Sequence, residues 1–169
     1  MKKLTVVLII VLICASVFAG QRVELGLRPY VMGHIIDAET EEKVNSKYGL
    51  GGTVSMLYTF ENPSWCIGGE ISADNFFFDD STTCFDLNVT GKIGLDLVLG
   101  EFDTAFFYGK VGVTNRFWQN DSELRPNVGA QVGIARALNK GTDLLFSCEA
   151  RFNFPTLIVD AMVGVKHEL

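Results

Sequence analysis

Beyond its N-terminal segment, this chain alternates apolar and polar side chains with a period of two along almost its whole length. That is the period of an extended strand whose two faces meet different surroundings, and a helix, repeating near 3.6, cannot satisfy it. The clearest run is Thr83 to Leu99. Phe85, Leu87, Val89, Gly91, Ile93, Leu95, Leu97 and Leu99 share one face, and Cys84, Asp86, Asn88, Thr90, Lys92, Gly94, Asp96 and Val98 share the other. Ordinary soluble strands run to about five or six residues, so this one is unusually long. Tyr48, Leu50, Gly52, Val54, Met56, Tyr58 and Phe60 repeat the pattern, as do Leu157, Val159, Ala161, Val163 and Val165.

Following each run in turn predicts eight strands, at about 22 to 35, 47 to 60, 65 to 75, 83 to 98, 104 to 116, 125 to 137, 142 to 153 and 156 to 168. Their connections alternate in character. Tight turns follow the second, fourth and sixth strands, at Glu61 to Ser64, Gly100 to Asp103 and Leu138 to Gly141. Longer connections follow the first, third and fifth: an acidic one with Asp37, Glu39, Glu41 and Glu42, one with Asp79 and Asp80, and one with Gln119, Asn120, Asp121 and Glu123. The last connection, around Asn153 to Thr156, is short. Pro29 and Pro126 remove ladder donors and are expected at bulges or strand ends.

The N-terminus reads Met1, Lys2, Lys3, an apolar stretch from Leu4, then Val17, Phe18, Ala19 and Gly20. This is the order of a secretory signal peptide, with cleavage expected after Ala19, which makes residues 1–19 the leader and 20–169 one barrel domain. An uncleaved anchor is the competing reading, and the apolar core is short for a span of about 20 residues. Cys14 follows the bulky Ile13, which argues against lipidation. The mature part keeps Cys66, Cys84 and Cys148, an odd number without zinc-site spacing. Cys66 and Cys84 fall near opposite ends of adjacent strands, too far apart for a disulfide, and all three read as small packing residues.

In strand count, mature size and alternation of short turns with longer loops, the chain resembles the small eight-stranded outer-membrane β-barrels of the OmpA and OmpX type. The resemblance is architectural and covers the mature chain. It implies an all-β, antiparallel, up-and-down transmembrane barrel in the outer membrane of a Gram-negative bacterium, with turns and termini on the periplasmic side. Gly164, Val165, Lys166, His167, Glu168 and Leu169 look like the terminal signal read by the barrel-assembly machinery, with His167 and Leu169 standing where aromatics are usual. A retention-tail reading of Lys166 to Leu169 competes, but these residues keep the strand period.

Alternation alone leaves open whether the apolar face meets lipid or lines a ligand cavity, as in a soluble lipocalin-like barrel binding an apolar ligand. Aromatic residues lie mostly near strand ends, among them Tyr48, Tyr58, Phe60, Trp65, Phe76, Phe102, Phe117, Phe152 and Phe154, whereas aliphatic residues hold the middles. Girdles around an aliphatic band are what two membrane interfaces select. The opposite face carries Glu24, Arg28, Glu70, Asp74, Asp86, Lys92, Asp96, Lys110, Arg116, Arg125, Glu149, Arg151, Asp160, Lys166 and Glu168, near a balance of charge that suits a closed, paired interior. Eight strands leave no room for a wide channel.

A net charge of -6 argues against nucleic acid as a partner. The partners expected are outer-membrane lipid and an undetermined ligand at the outer loops. No cofactor, metal or catalytic residue is expected: His34 and His167 are the only histidines, no nucleophile motif is present, and the glycines at 49 to 52 and 91 to 94 lie within strands. One enzyme reading stands beside this, since His34, Asp80 and Ser81 fall near one rim, similar to a lipid A palmitoyltransferase with His34 as base and Ser81 as nucleophile or orienting hydroxyl. The acidic first loop lacks the ligand spacing of a calcium loop.

Overall fold

The computed structural model describes residues 21–36, 43–45, 48–60, 64–77, 83–118, 121–154 and 156–169. They form β1 (Gln21–Ile36), β2 (Lys43–Asn45), β3 (Tyr48–Thr59), β4 (Trp65–Phe77), β5 (Thr83–Val98), β6 (Asp103–Trp118), β7 (Asp121–Asn139), β8 (Thr142–Asn153) and β9 (Thr156–Glu168). From β3 onward each strand pairs antiparallel with the next, β1 pairs with β3, and β9 returns to β1. Among the described residues the short β2 pairs with the far end of β1, and the wall itself is a closed eight-stranded barrel. The expected leader at residues 1–19, the acidic residues Asp37, Glu39, Glu41 and Glu42, and Asp79, Asp80, Ser81, Gln119 and Asn120 lie outside the described residues.

The direction of the two faces is settled by neighbours in the chain. Leu27 is 72% exposed and Arg28 is 1% exposed. The same inversion holds around the wall: Leu25, Val54, Ile93, Val111, Val132 and Val159 face outward, while Glu70, Asp74, Asp86, Lys92, Lys110 and Arg151 are buried inside. The lipocalin-like alternative is thereby overturned, because the interior is filled with charged side chains rather than an apolar cavity.

The connection expected after the fifth strand is corrected. β6 and β7 continue pairing through Arg116↔Glu123, Phe117↔Ser122 and Trp118↔Asp121, so Asp121 and Glu123 belong to a strand. Polarity there marks a change of surroundings, not the end of the ladder, because backbone pairing in an antiparallel hairpin does not require an apolar face. Pro29 sits at the bulge where the β1–β9 register changes between Leu27 and Tyr30. Pro126 stands opposite Val113 within the β6–β7 ladder, one residue beyond the last β7–β8 pair at Asn127↔Asn153, so it is a strand end only toward β8.

Turn chemistry closes the hairpins at the end that also holds Gln21 and Leu169, the first and last described residues. Between β7 and β8, Gly141 takes φ +84°, open to a residue without Cβ, and the register shifts between Ala137 and Asn139. Outward aromatics mark both ends: Phe60, Trp65 and Phe102 at the turn end, and Tyr48, Phe85, Phe117, Phe152 and Phe154 at the loop end. Phe76 departs from the expected girdle, since it is fully buried and points inward.

Candidate functional site

The barrel interior is the most elaborate arrangement in the molecule, and it is layered. At the turn end, Leu57, Cys66, Phe106, Tyr108, Ala135, Leu145 and Met162 form an apolar cluster inside the barrel. Phe106 and Tyr108 stack with centroids 5.0 Å apart. Hydropathy hides this plug, because the face is polar elsewhere. Phase reveals it: Phe106 and Tyr108 share the inward phase of Lys110, Leu145 that of Glu149, and Met162 that of Asp160.

Charged groups begin on the rungs of the plug itself, where Arg22 stands opposite Leu57 and Asp96 opposite Phe106, and extend toward the loop end. Arg22 binds both Asp96 and the Tyr108 hydroxyl, which itself donates to Asp96 at 2.7 Å. The Lys92 ammonium lies 4.6 Å from the Tyr108 ring centroid and 2.7 Å from Glu24, joining plug to ionic core. Lys110 donates to Glu70 at 2.7 Å and to Glu149 at 2.5 Å. Arg28 reaches Asp74 at 3.0 Å, Glu149 at 3.1 Å and Glu70 at 3.2 Å, and Arg151 donates to Asp74 at 2.6 Å. Such charges are tolerated away from water because each is paired and hydrogen-bonded.

Toward the loop end the network continues through neutral groups. Asn88 donates to Asp74 at 3.1 Å and accepts from Thr114 at 2.6 Å, and Asn127 donates to Thr114 at 2.9 Å. Arg116 grips both oxygens of Asp86, at 2.7 and 2.6 Å, and donates to Thr156 at 2.7 Å. Arg125 pairs with Glu123 at 2.5 Å near the rim.

The residues singled out from the sequence sort cleanly. The charged face enters the interior, joined by Arg22, which the sequence reading omitted and which lies on the phase of Glu24. Glu168 is instead exposed at the turn end. The backbone of His34 stands opposite Asn45 and Leu157 in β1, while Asp80 and Ser81 lie outside the described residues, so the proposed catalytic grouping receives no geometry. His167 pairs with Thr142 at 2.9 Å at the turn end. Among the described residues no cluster of three or more His, Cys, Asp or Glu is arranged for a metal.

Cys66 and Cys84 are buried, free, and partnered by Gly94 and Phe76 at opposite ends of the β4–β5 ladder. Cys148 is corrected: it faces outward from β8 and is exposed, because it shares the phase of Phe146 and Phe152. The arrangement as a whole binds strands together, and its carboxylates are occupied by cations.

No protein-family model matches the chain, and no curated protein matches its sequence. Solved structures do match in shape. Neisserial surface protein A superposes with a TM-score of 0.67 at 10% identity, covering 89% of this chain and 98% of that one. Ail, the attachment invasion locus protein of Yersinia pestis, superposes at 0.58 and 14% identity, covering 89% and 99%. Ail in complex with the heparin analogue sucrose octasulfate gives 0.60 at 14% identity. At these identities the likeness is one of fold: the chain has the closed, eight-stranded architecture of small outer-membrane β-barrels.

Proposed function

We propose that the protein is an integral outer-membrane barrel with a structural or surface role, exported by a signal peptide at residues 1–19. The inversion of burial carries this reading. A soluble monomer seldom exposes an apolar patch beyond a few hundred Å², whereas Leu25, Leu27, Val54, Ile67, Val111, Val128 and Val132 belong to an exposed apolar belt around the wall. Lipid is the solvent that such a belt fits, and a closed barrel leaves no ladder edge in it. The turns and both termini would face the periplasm, with the last strand presented to the assembly machinery. The loops would face outward and meet an external partner.

The neighbours lend the surface role its plausibility without naming a ligand. A polysulfated ligand of the kind bound to Ail would meet Asp37, Glu39, Glu41 and Glu42 in the first loop of this chain, so sulfate recognition is not carried over. The enzyme reading with His34 and Ser81 draws no support from the braced interior. Fractionation of cells making the full chain tests the proposal: recovery in the outer-membrane pellet, released only by detergent and shifting in gel mobility on heating, is expected. Recovery in the aqueous extract refutes it.

A further inference from the structure

In the loop half of the barrel interior, each buried amide is oriented by what its neighbour is able to accept. Asn88 in β5 donates through Nδ2 to Asp74 in β4 at 3.1 Å, and that carboxylate, held by Arg28 and Arg151, only accepts. Asn88 thus turns Oδ1 to Thr114 in β6, whose hydroxyl donates to it at 2.6 Å. A hydroxyl has one proton, so Thr114 is left to accept, and it does so from Asn127 Nδ2 in β7 at 2.9 Å. The donations run one way, from β7 to β4.

At β7 the relay stops. Asn127 is buried, yet its Oδ1 has no hydrogen-bond partner among the described residues. Because the amide nitrogen is turned to β6, the oxygen is turned toward β8. There Asn153 stands directly opposite Asn127 and is fully buried. Asn153 Nδ2 donates to Asp86 at 3.4 Å, and Asp86 is a carboxylate gripped by Arg116, so Asn153 Oδ1 is likewise left without a donor. The Cβ atoms of such a facing pair lie about 4.5–5.5 Å apart.

The third group is on β8, two residues nearer the turn end. Arg151 directs Nη2 to Asp74 and Asp160, and its Nε lies 3.0 Å from Glu149. Glu149 and Asp160 are cross-strand partners on the turn side of Arg151. The guanidinium is planar, so Nη1, on the edge away from Nε, faces the loop side, where the two asparagines are. Arg151 is buried, and Nη1 has no acceptor among the described residues.

Two oxygens that need donors and one N–H group that needs an acceptor converge here. A sodium ion serves the oxygens but sets positive charge against a guanidinium, and a chloride ion serves the N–H group but repels the oxygens. Water supplies two protons and a lone pair, and a buried water typically makes about three hydrogen bonds. We propose that one structural water is bound between Asn127, Asn153 and Arg151, accepting from Arg151 Nη1 and donating to both amide oxygens. It closes a ring of donations from Arg151 through water, Asn127, Thr114 and Asn88 to Asp74, which Arg151 also reaches directly at 2.6 Å. The ring ties β4 to β8 from within, and successive bonds that polarise one another strengthen it.

Crystals of the mature chain in detergent, grown in sodium chloride and again in rubidium bromide and diffracting far enough to order water, test the site. A peak about 2.7–3.2 Å from Asn127 Oδ1, Asn153 Oδ1 and Arg151 Nη1 is expected in both salts, without anomalous signal from rubidium or bromide. Asn127→Leu keeps the side-chain size but removes one acceptor and the next donor of the ring, and should lose the peak. Gln131→Leu removes a buried amide that donates to Ser147 outside the ring, and should keep it.

An anomalous peak at the site replaces water by an ion and overturns the assignment. Absence of any peak in the parent crystals, or amide oxygens bonded to protein donors instead, overturns the site. A peak that persists in Asn127→Leu overturns the ring. If neither variant folds, the parent crystals in the two salts decide.

Discussion

The Lys110 ammonium lies 2.7 Å from the Glu70 carboxylate, although β6 and β4 are not neighbours in the wall. The pair reaches across β5, and the same ammonium reaches across β7 to Glu149 at 2.5 Å. Lys110 therefore ties three strands that share no ladder. Removing it leaves two buried carboxylates with fewer cations, so Lys110→Met should destabilise the barrel by about 3–5 kcal/mol. Urea unfolding in lipid vesicles measures the loss. Because Glu149 shares the contact, Glu149→Gln should cost less in the Lys110→Met background than alone, and additive losses would show that the two do not interact.

Depth in the membrane should be readable from the outward face. Val111 is 67% exposed near the middle of β6, one residue from the buried Lys110. Val111→Arg places a guanidinium in hydrocarbon and should cost about 2–4 kcal/mol. Leu138 is 59% exposed but sits at the turn end of β7, where Leu138→Arg should cost about 0–1 kcal/mol. Equal penalties in vesicle refolding titrations would contradict an apolar belt centred on the strand middles.

The free thiols give a test of closure. Cys66 and Cys84 are fully buried and stand ten rungs apart on the β4–β5 ladder, as Cys66↔Gly94 and Phe76↔Cys84 show. Neither should react with a polar maleimide in the folded, vesicle-embedded protein, and both should react once it is denatured. A non-reducing mass measurement should find no intrachain disulfide. Rapid labelling of either cysteine in the folded state would mean that polar reagents enter the barrel.

The strand map was legible because period-two patterning survives at every level of the wall, from Thr83 in β5 to Lys166 in β9. Alternation alone does not say which face meets lipid, because it reads the same inside out, and only the aromatic residues near strand ends point the apolar face outward. The adjacent exposures of Leu27 and Arg28 decide it. Hydropathy also misled where surroundings change along a strand. Asp121 and Glu123 looked like a loop because they are polar, yet they continue a ladder. Phe76 looked like part of the girdle because it is large and near a strand end, yet its phase turns it inward. Phase records direction, whereas hydropathy records solvent, and the two diverge at the barrel ends. The bulge beside Pro29 depends on register across strands, which no single run of sequence displays.

Glycines in the wall should separate into two classes by which way they face. A Cβ on Gly133 would overlap the Phe146 carbonyl oxygen and come within 2.5 Å of Phe106 Cζ and 2.6 Å of Ser147 Cβ. Gly133 thus makes room for the plug. Gly133→Ala should destabilise the barrel by about 1–3 kcal/mol through overpacking. On the outer face, a Cβ on Gly109 meets nothing nearer than the Ile93 carbonyl oxygen at 3.8 Å. Gly109→Ala should be neutral or stabilising by about 0.4–1 kcal/mol, since it narrows the unfolded ensemble without a clash. Phe106→Leu in the Gly133→Ala background should recover part of the loss. Full recovery is not expected, because the Phe146 carbonyl belongs to the neighbouring strand and cannot withdraw without breaking its ladder. Vesicle unfolding midpoints that fall equally for Gly133→Ala and Gly109→Ala would show that the plug does not depend on the space Gly133 leaves.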